Sequence, residues 1–123
     1  MFDEYDLIHR FTRRQAILDG VLIDVTPVAN EAGIRYPTAL TRAVWENYVR
    51  VPEDVFGQDE TGRLWDILWL LRLAAGRSSS DTISFTVFVR NDNTSAKEHP
   101  FKAICGPDDD ASPCITVLLP TED

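Results

Sequence analysis

Glycine, cysteine and histidine are scarce in this chain, with six, two and two among 123 residues. A single pair of cysteines cannot frame a small disulfide scaffold, and a thiol enzyme needs a base that neither His9 nor His99 is placed to supply. Cys105 and Cys114 with those two histidines match no zinc spacing. No Gly-rich phosphate loop, Gly-x-Ser-x-Gly elbow or His-Glu-x-x-His pair occurs. Asp108, Asp109 and Asp110 lack the alternating spacing, central Gly and closing Glu of a calcium loop. Neither a metal nor another cofactor is therefore expected. Basic residues are also few. Twelve Lys and Arg against twenty Asp and Glu give a formal charge of −8, which opposes general affinity for nucleic acid or anionic lipid. No run approaches the roughly 18 apolar residues of a membrane span, and acidic Met1–Asp6 does not resemble a secretion leader, so a cytoplasmic protein is expected.

What is present is a core. Hydrophobic residues make up 44%, and a chain of this length buries about two thirds of its surface, so residues 1–123 read as one domain. Thr12 and Gln15 have capping-box spacing and predict a short helix from Arg13 that Gly20 ends. The β-branched run Val21–Val25 predicts a short strand. Thr26-Pro27 opens a further short helix stopped by Gly33. A helix to about Arg50 starts at Thr38, or at Arg42 if Thr41 is the cap. The longest helix runs from about Glu60 to Ala75. Beyond Ser78–Asp81 the period changes to two: Ile83, Phe85, Val87 and Val89 alternate with polar neighbours apart from Phe88, and residues 101–105 and 115–119 alternate likewise. The order predicts an α+β domain, with N-terminal helices packed on one face of a C-terminal antiparallel three-stranded sheet and an extra strand near residues 21–25.

Register decides the cysteines. Aligning the apolar faces pairs Phe101 with Leu119, Ala103 with Val117 and Cys105 with Ile115, which turns Cys105 inward and Cys114 outward. A one-residue slip would bring the thiols together but expose the second strand's apolar side. Reduced thiols are expected.

Charge is uneven along the chain. Residues 1–50 carry six Arg against seven acids, and residues 51–123 carry six basic residues against thirteen acids. The candidate binding residues are accordingly Glu53, Asp54, Asp59, Glu60, Asp108, Asp109 and Asp110, with Glu122 and Asp123 adding to the same acidic surface. Trp65 and Trp69, one helical turn apart, join them, because Trp is over-represented at interface centres. With Trp45 on the preceding helix, at least one of the three is expected in the core, part of this apolar helix staying exposed to meet a partner or a second copy of the chain.

Several segments taken together resemble an uncharacterised family, a domain of unknown function found in small acidic proteins encoded on plasmids, integrative elements and phages. They are Thr12–Gly20, Gly33–Trp45, Leu64–Trp69, Gly106–Asp109 and Leu119–Asp123. The resemblance implies an accessory role in a mobile genetic element and carries over no catalytic residue. Near Asp108, where members of that family often have Gly or another small residue, this chain has three aspartates. The reading that follows is a non-enzymatic protein-interaction protein acting on a host nucleic-acid-processing or defence system through an acidic surface, its partner a protein. Two rival readings are a small enzyme with a cleft using His9, Arg10, Tyr36 and Asp66, and DNA binding through Arg10, Arg13 and Arg14.

Overall fold

The computed structural model describes residues 12–122. Helix α1 (Arg13–Leu18) begins where Thr12 Oγ1 accepts the Gln15 N–H at 3.0 Å. The capping box is only half formed, since Gln15 Nε2 donates to Asp19 Oδ1 instead. Gly20, at φ 75°, supplies the left-handed turn that ends α1. Strand β1 (Leu22–Asp24) and helix α2 (Thr26–Glu31) follow, with Pro27 in the first turn. Strand β2 (Thr38–Thr41) comes next, then a helix that is α over Arg42–Val44 and π over Trp45–Val49, together called α3. The Arg50 N–H reaches back to the Trp45 carbonyl at 2.8 Å, five residues away, which marks the wider turn. Helix α4 (Glu60–Ala75) is capped by Asp59, and β3 (Thr82–Val89), β4 (Lys97–Pro107) and β5 (Pro113–Leu118) complete the chain.

The sheet corrects the expected architecture. It has five strands in the order β1-β2-β5-β4-β3. The C-terminal three form the expected antiparallel meander, but β2 runs parallel to β5 and antiparallel to β1. Residues 38–41 are thus a strand, and Thr41, whose Oγ1 accepts the Val44 N–H, caps the helix that starts at Arg42. Thr38, Ala39 and Leu40 are wholly buried. A central strand covered on both faces shows no polar alternation, so periodicity could not separate it from the helix that follows.

The second correction concerns the faces. Leu40, Val117, Ala103 and Ile83 line up across four strands on one face, where α2, α3 and α4 pack through Ala29, Val44, Ile67, Leu68 and Leu71. The opposite face is not bare. Helix α1 lies on it, with the Arg13 guanidinium donating to Thr116 Oγ1 at 2.6 Å and to the Ile115 carbonyl at 2.7 Å. This covers Ala16, Cys114 and Leu118, all buried outside the main core. A six-residue helix that opens on two arginines gave no sign of covering a second face.

Strand register is as expected. Ala103 pairs with Val117 and Cys105 with Ile115, and Cys114 falls opposite Gly106. Both thiols are free. Cys114 points to the second face but is buried there by α1, and that burial pushes its thiol up from the usual range.

Candidate interaction surface

Helix α4 gives its core face to Leu64, Ile67, Leu68 and Leu71. At 100° per residue, Trp65, Trp69 and Leu73 fall on the opposite side. They are 37%, 40% and 40% exposed, whereas Trp45 of α3 is half-buried and packs against the core, so the expected core Trp is Trp45 and neither ring of α4. The core face was already filled by branched aliphatic residues, which leaves the larger rings outside. Trp65 and Trp69 stack nearly parallel, 7° apart with centroids 6.3 Å from one another. The Arg72 guanidinium lies 5.3 Å from the Trp69 ring centroid and extends the stack with a cation. Asp59 and Glu60 stand exposed at the N-terminal end of the same helix and Arg72 and Arg77 at the other. The face therefore runs from acidic through aromatic to basic over about 24 Å. A groove of about 600 Å³ flanks Trp65, lined by Gln58, Asp59, Gly62, Arg63 and Asp66 among others. Partial burial raises the Asp66 carboxyl above its usual range.

One residue that the sequence did not single out organises this end of the molecule. Arg63 is buried, and its guanidinium donates to carbonyl oxygens of Tyr48, Arg50 and Arg90, to Asn91 Oδ1 at 2.9 Å and to Gln58 Oε1 at 3.3 Å. No carboxylate accepts from it among the described residues. Two of those carbonyls, of Tyr48 and Arg50, stand at the C-terminal end of α3, where the last carbonyls have no partner in the helix ladder. Burial and neighbouring Arg90 lower the affinity of Arg63 for its proton. Its role is to tie α3, the segment before α4 and the β3–β4 turn together. Arg90 and Asn93 fasten the same loops, donating to the Phe56 and Asp54 carbonyls respectively.

The acidic candidates do not form one surface. Glu53, Asp54, Asp59 and Glu60 sit with the β3–β4 turn, since the Phe56 N–H donates to Asn93 Oδ1 at 3.0 Å. Asp108, Asp109 and Asp110 occupy the β4–β5 turn, which adjoins the opposite end of β3. Eight β3 residues separate the two groups by roughly 25 Å. The second group is also engaged locally. The Asp109 carboxylate accepts the Arg13 and Arg14 N–H groups at 2.8 and 3.1 Å, capping α1 across the chain. Asp110 accepts the Ser112 N–H and hydroxyl, and Asp108 Oδ1 the Asp109 N–H. Glu122 Oε1 accepts from Thr41 Oγ1 and the Leu119 N–H, while Asp123 lies outside the described residues.

For the rival readings, His9 and Arg10 lie outside the described residues. Tyr36 is exposed before β2 and Asp66 is exposed on α4, and no hydrogen bond joins the two. Arg13 is occupied by β5, leaving Arg14 the exposed member of the N-terminal arginine group within the described residues. No helix among them is long and apolar enough to cross a membrane.

The family of unknown function DUF6573 has a model that matches residues 1–123, the whole chain. The chain belongs to that family. No curated protein and no solved structure matches it. Family membership therefore assigns no activity, and what the residues can do has to be argued from the α4 face.

Proposed function

We propose that the protein is a non-enzymatic interaction protein that docks a protein partner through the outer face of α4. The observation that carries this reading is the Trp65–Trp69 stack, held outside a core that Leu64, Ile67, Leu68 and Leu71 already fill. Stacked Trp rings with an adjacent Arg are the composition of an interface centre, and they supply apolar area at little cost in side-chain entropy. Glu53, Asp54, Asp59 and Glu60 lie towards the acidic end of that face and favour a partner that is basic there. Asp108, Asp109 and Asp110 contribute to a separate site at most, because α1 and Ser112 use them.

The wider role we propose is that of a cytoplasmic accessory protein of a mobile genetic element, acting on a host nucleic-acid-processing or defence system. That part rests on the sequence resemblance and on the acidic surplus after residue 50, not on geometry. The test is affinity capture from the native host, comparing the wild-type chain with Trp65→Ala/Trp69→Ala as bait. The reading expects a specific protein held by the wild type and released by the double variant, whose circular dichroism stays unchanged. Equal recovery on both baits would refute it.

A further inference from the structure

The Trp65–Trp69 stack on α4 meets a cation at one end, where the Arg72 guanidinium lies 5.3 Å from the Trp69 ring centroid. Its other end opens on the groove of about 600 Å³ beside Trp65. Among the described residues the lining of that groove runs from Gly57 to Asp66, on the side of the Trp65 ring turned away from Trp69. Gly62 is its floor. A Cβ there would come within 3.1 Å of Asp59 Oδ1, and the bare backbone leaves a hollow in the helix surface beside the ring. Two carboxylates converge on this hollow. Asp59 turns in to accept the Gly62 N–H, and Asp66, one turn after Gly62, leans back towards it because Cα–Cβ bonds tilt to the helix N-terminus. Both residues are exposed, and neither forms an ion pair among the described residues. Arg63 also borders the groove, but its guanidinium donates to carbonyl and amide oxygens and to neither carboxylate.

From this arrangement we propose that the groove seats an arginine side chain of the partner, its guanidinium stacked on the free face of Trp65 and hydrogen-bonded to Asp59 and Asp66. The proposal rests on the α4 reading and adds the chemistry of what docks there. A planar cation matches the flat indole ring, and Arg72 on Trp69 makes the same contact within the chain. The ammonium of lysine is a hydrated point charge and lacks that plane. Ionised carboxylates accept hydrogen bonds and donate none, so the hollow repels a partner's acid and takes a donor-rich group. Asp59 spends Oδ1 on Gly62 and keeps its second oxygen for a ligand. Partial burial holds the Asp66 carboxyl above its usual range. A carboxylate drawn from water with no cation paired to it costs stability, and an arriving guanidinium offsets that cost.

The test is a titration of the full chain followed by nitrogen–proton correlation NMR, with N-acetyl-arginine methylamide as probe and its lysine and citrulline analogues as comparisons. Citrulline keeps the shape and plane of arginine without the charge. Arginine should shift the Trp65 indole N–H saturably and more than that of Trp69, with lysine weaker and citrulline weaker by roughly tenfold or more. Asp59→Asn, which keeps the helix cap, and Asp66→Asn should each weaken arginine binding several-fold. Added arginine should also draw the Asp66 carboxyl back down towards the usual range. The absence of a saturable shift up to about 50 mM probe would overturn the proposal, as would equal binding of citrulline or indifference to both Asn variants. As bait in affinity capture, Asp59→Asn/Asp66→Asn should lose the partner that Trp65→Ala/Trp69→Ala also releases. Retention by the Asn pair with release by the Ala pair would remove the arginine seat and leave the α4 reading standing.

Discussion

The Arg72 guanidinium sits over the Trp69 ring because Gly33 lets it pass. A Cβ on Gly33 would come within 2.4 Å of Arg72 Nε, and Gly33 itself holds φ at 94°. The turn that ends α2 and the cation that extends the aromatic stack on α4 therefore depend on one missing side chain.

Gly33→Ala should accordingly have two effects. The left-handed backbone costs about 1–2 kcal/mol with any Cβ, and the displaced Arg72 should leave Trp69. Thermal unfolding reads the first effect and Trp fluorescence the second. Arg72→Ala, which removes the cation without backbone strain, should reproduce the fluorescence change alone.

Arg63→Met should destabilise the protein by about 3 kcal/mol, because buried carbonyl and amide oxygens around the guanidinium lose their donor. Arg63→Lys keeps the charge but not the planar fork, and should recover less than half of that loss. Urea denaturation measures both, and hydrogen exchange should show the β3–β4 turn and the segment before α4 loosening together.

Asp109→Ala should cost roughly 1 kcal/mol, the usual value of a helix cap. Its effect should be local: amides at the start of α1 exchange faster, and Cys114, which α1 covers, reacts faster with a thiol reagent. In the wild type, both thiols should titrate as reduced after denaturation, with Cys114 much the slower under native conditions. A Cys105–Cys114 disulfide within the chain would contradict the register of β4 and β5.

Acid should act on carboxylates in opposite senses. Hydrogen bonds from Ser112 and Thr94 hold Asp110 and Asp92 below the usual carboxylate range, so what they contribute is present above the unfolded pKa and is lost as pH falls. Burial raises Asp66, so its protonated form favours folding and that contribution fades as pH rises through the folded value. Asp66→Asn should therefore raise the melting temperature at pH 7 and leave it unchanged at pH of about 3, where the wild-type carboxyl is already neutral. Ser112→Ala should show the reverse pattern, a loss at neutral pH that vanishes in acid.

The elements most legible in the sequence were those with both a period and a boundary signal. Helix α4 has Asp59 before it and Gly76 after it, and the meander alternates cleanly, so both fall within a few residues of expectation. Strand β2 was readable only as an alternative start to a helix, because a doubly buried strand carries no alternation and Ala39-Leu40 suit either structure. The second face gives no sign in the sequence because Arg13, which reads there only as a candidate DNA contact, is anchored to β5. At the candidate surface, the exposure of Trp65 and Trp69 could not be decided from an all-round apolar helix, since which rings stay outside depends on how Leu64, Ile67, Leu68 and Leu71 meet the sheet. Arg63 gave no signal at all, as its acceptors are backbone carbonyls that any residue offers.

The most direct test of the α4 face is photocrosslinking in the native host with benzoylphenylalanine placed at position 73, beside Trp69, or at position 88, on the exposed side of β3. The account predicts an adduct with another protein from position 73, abolished by Trp65→Ala/Trp69→Ala, and none from position 88. Adducts with another protein from position 88 and none from position 73 would contradict it.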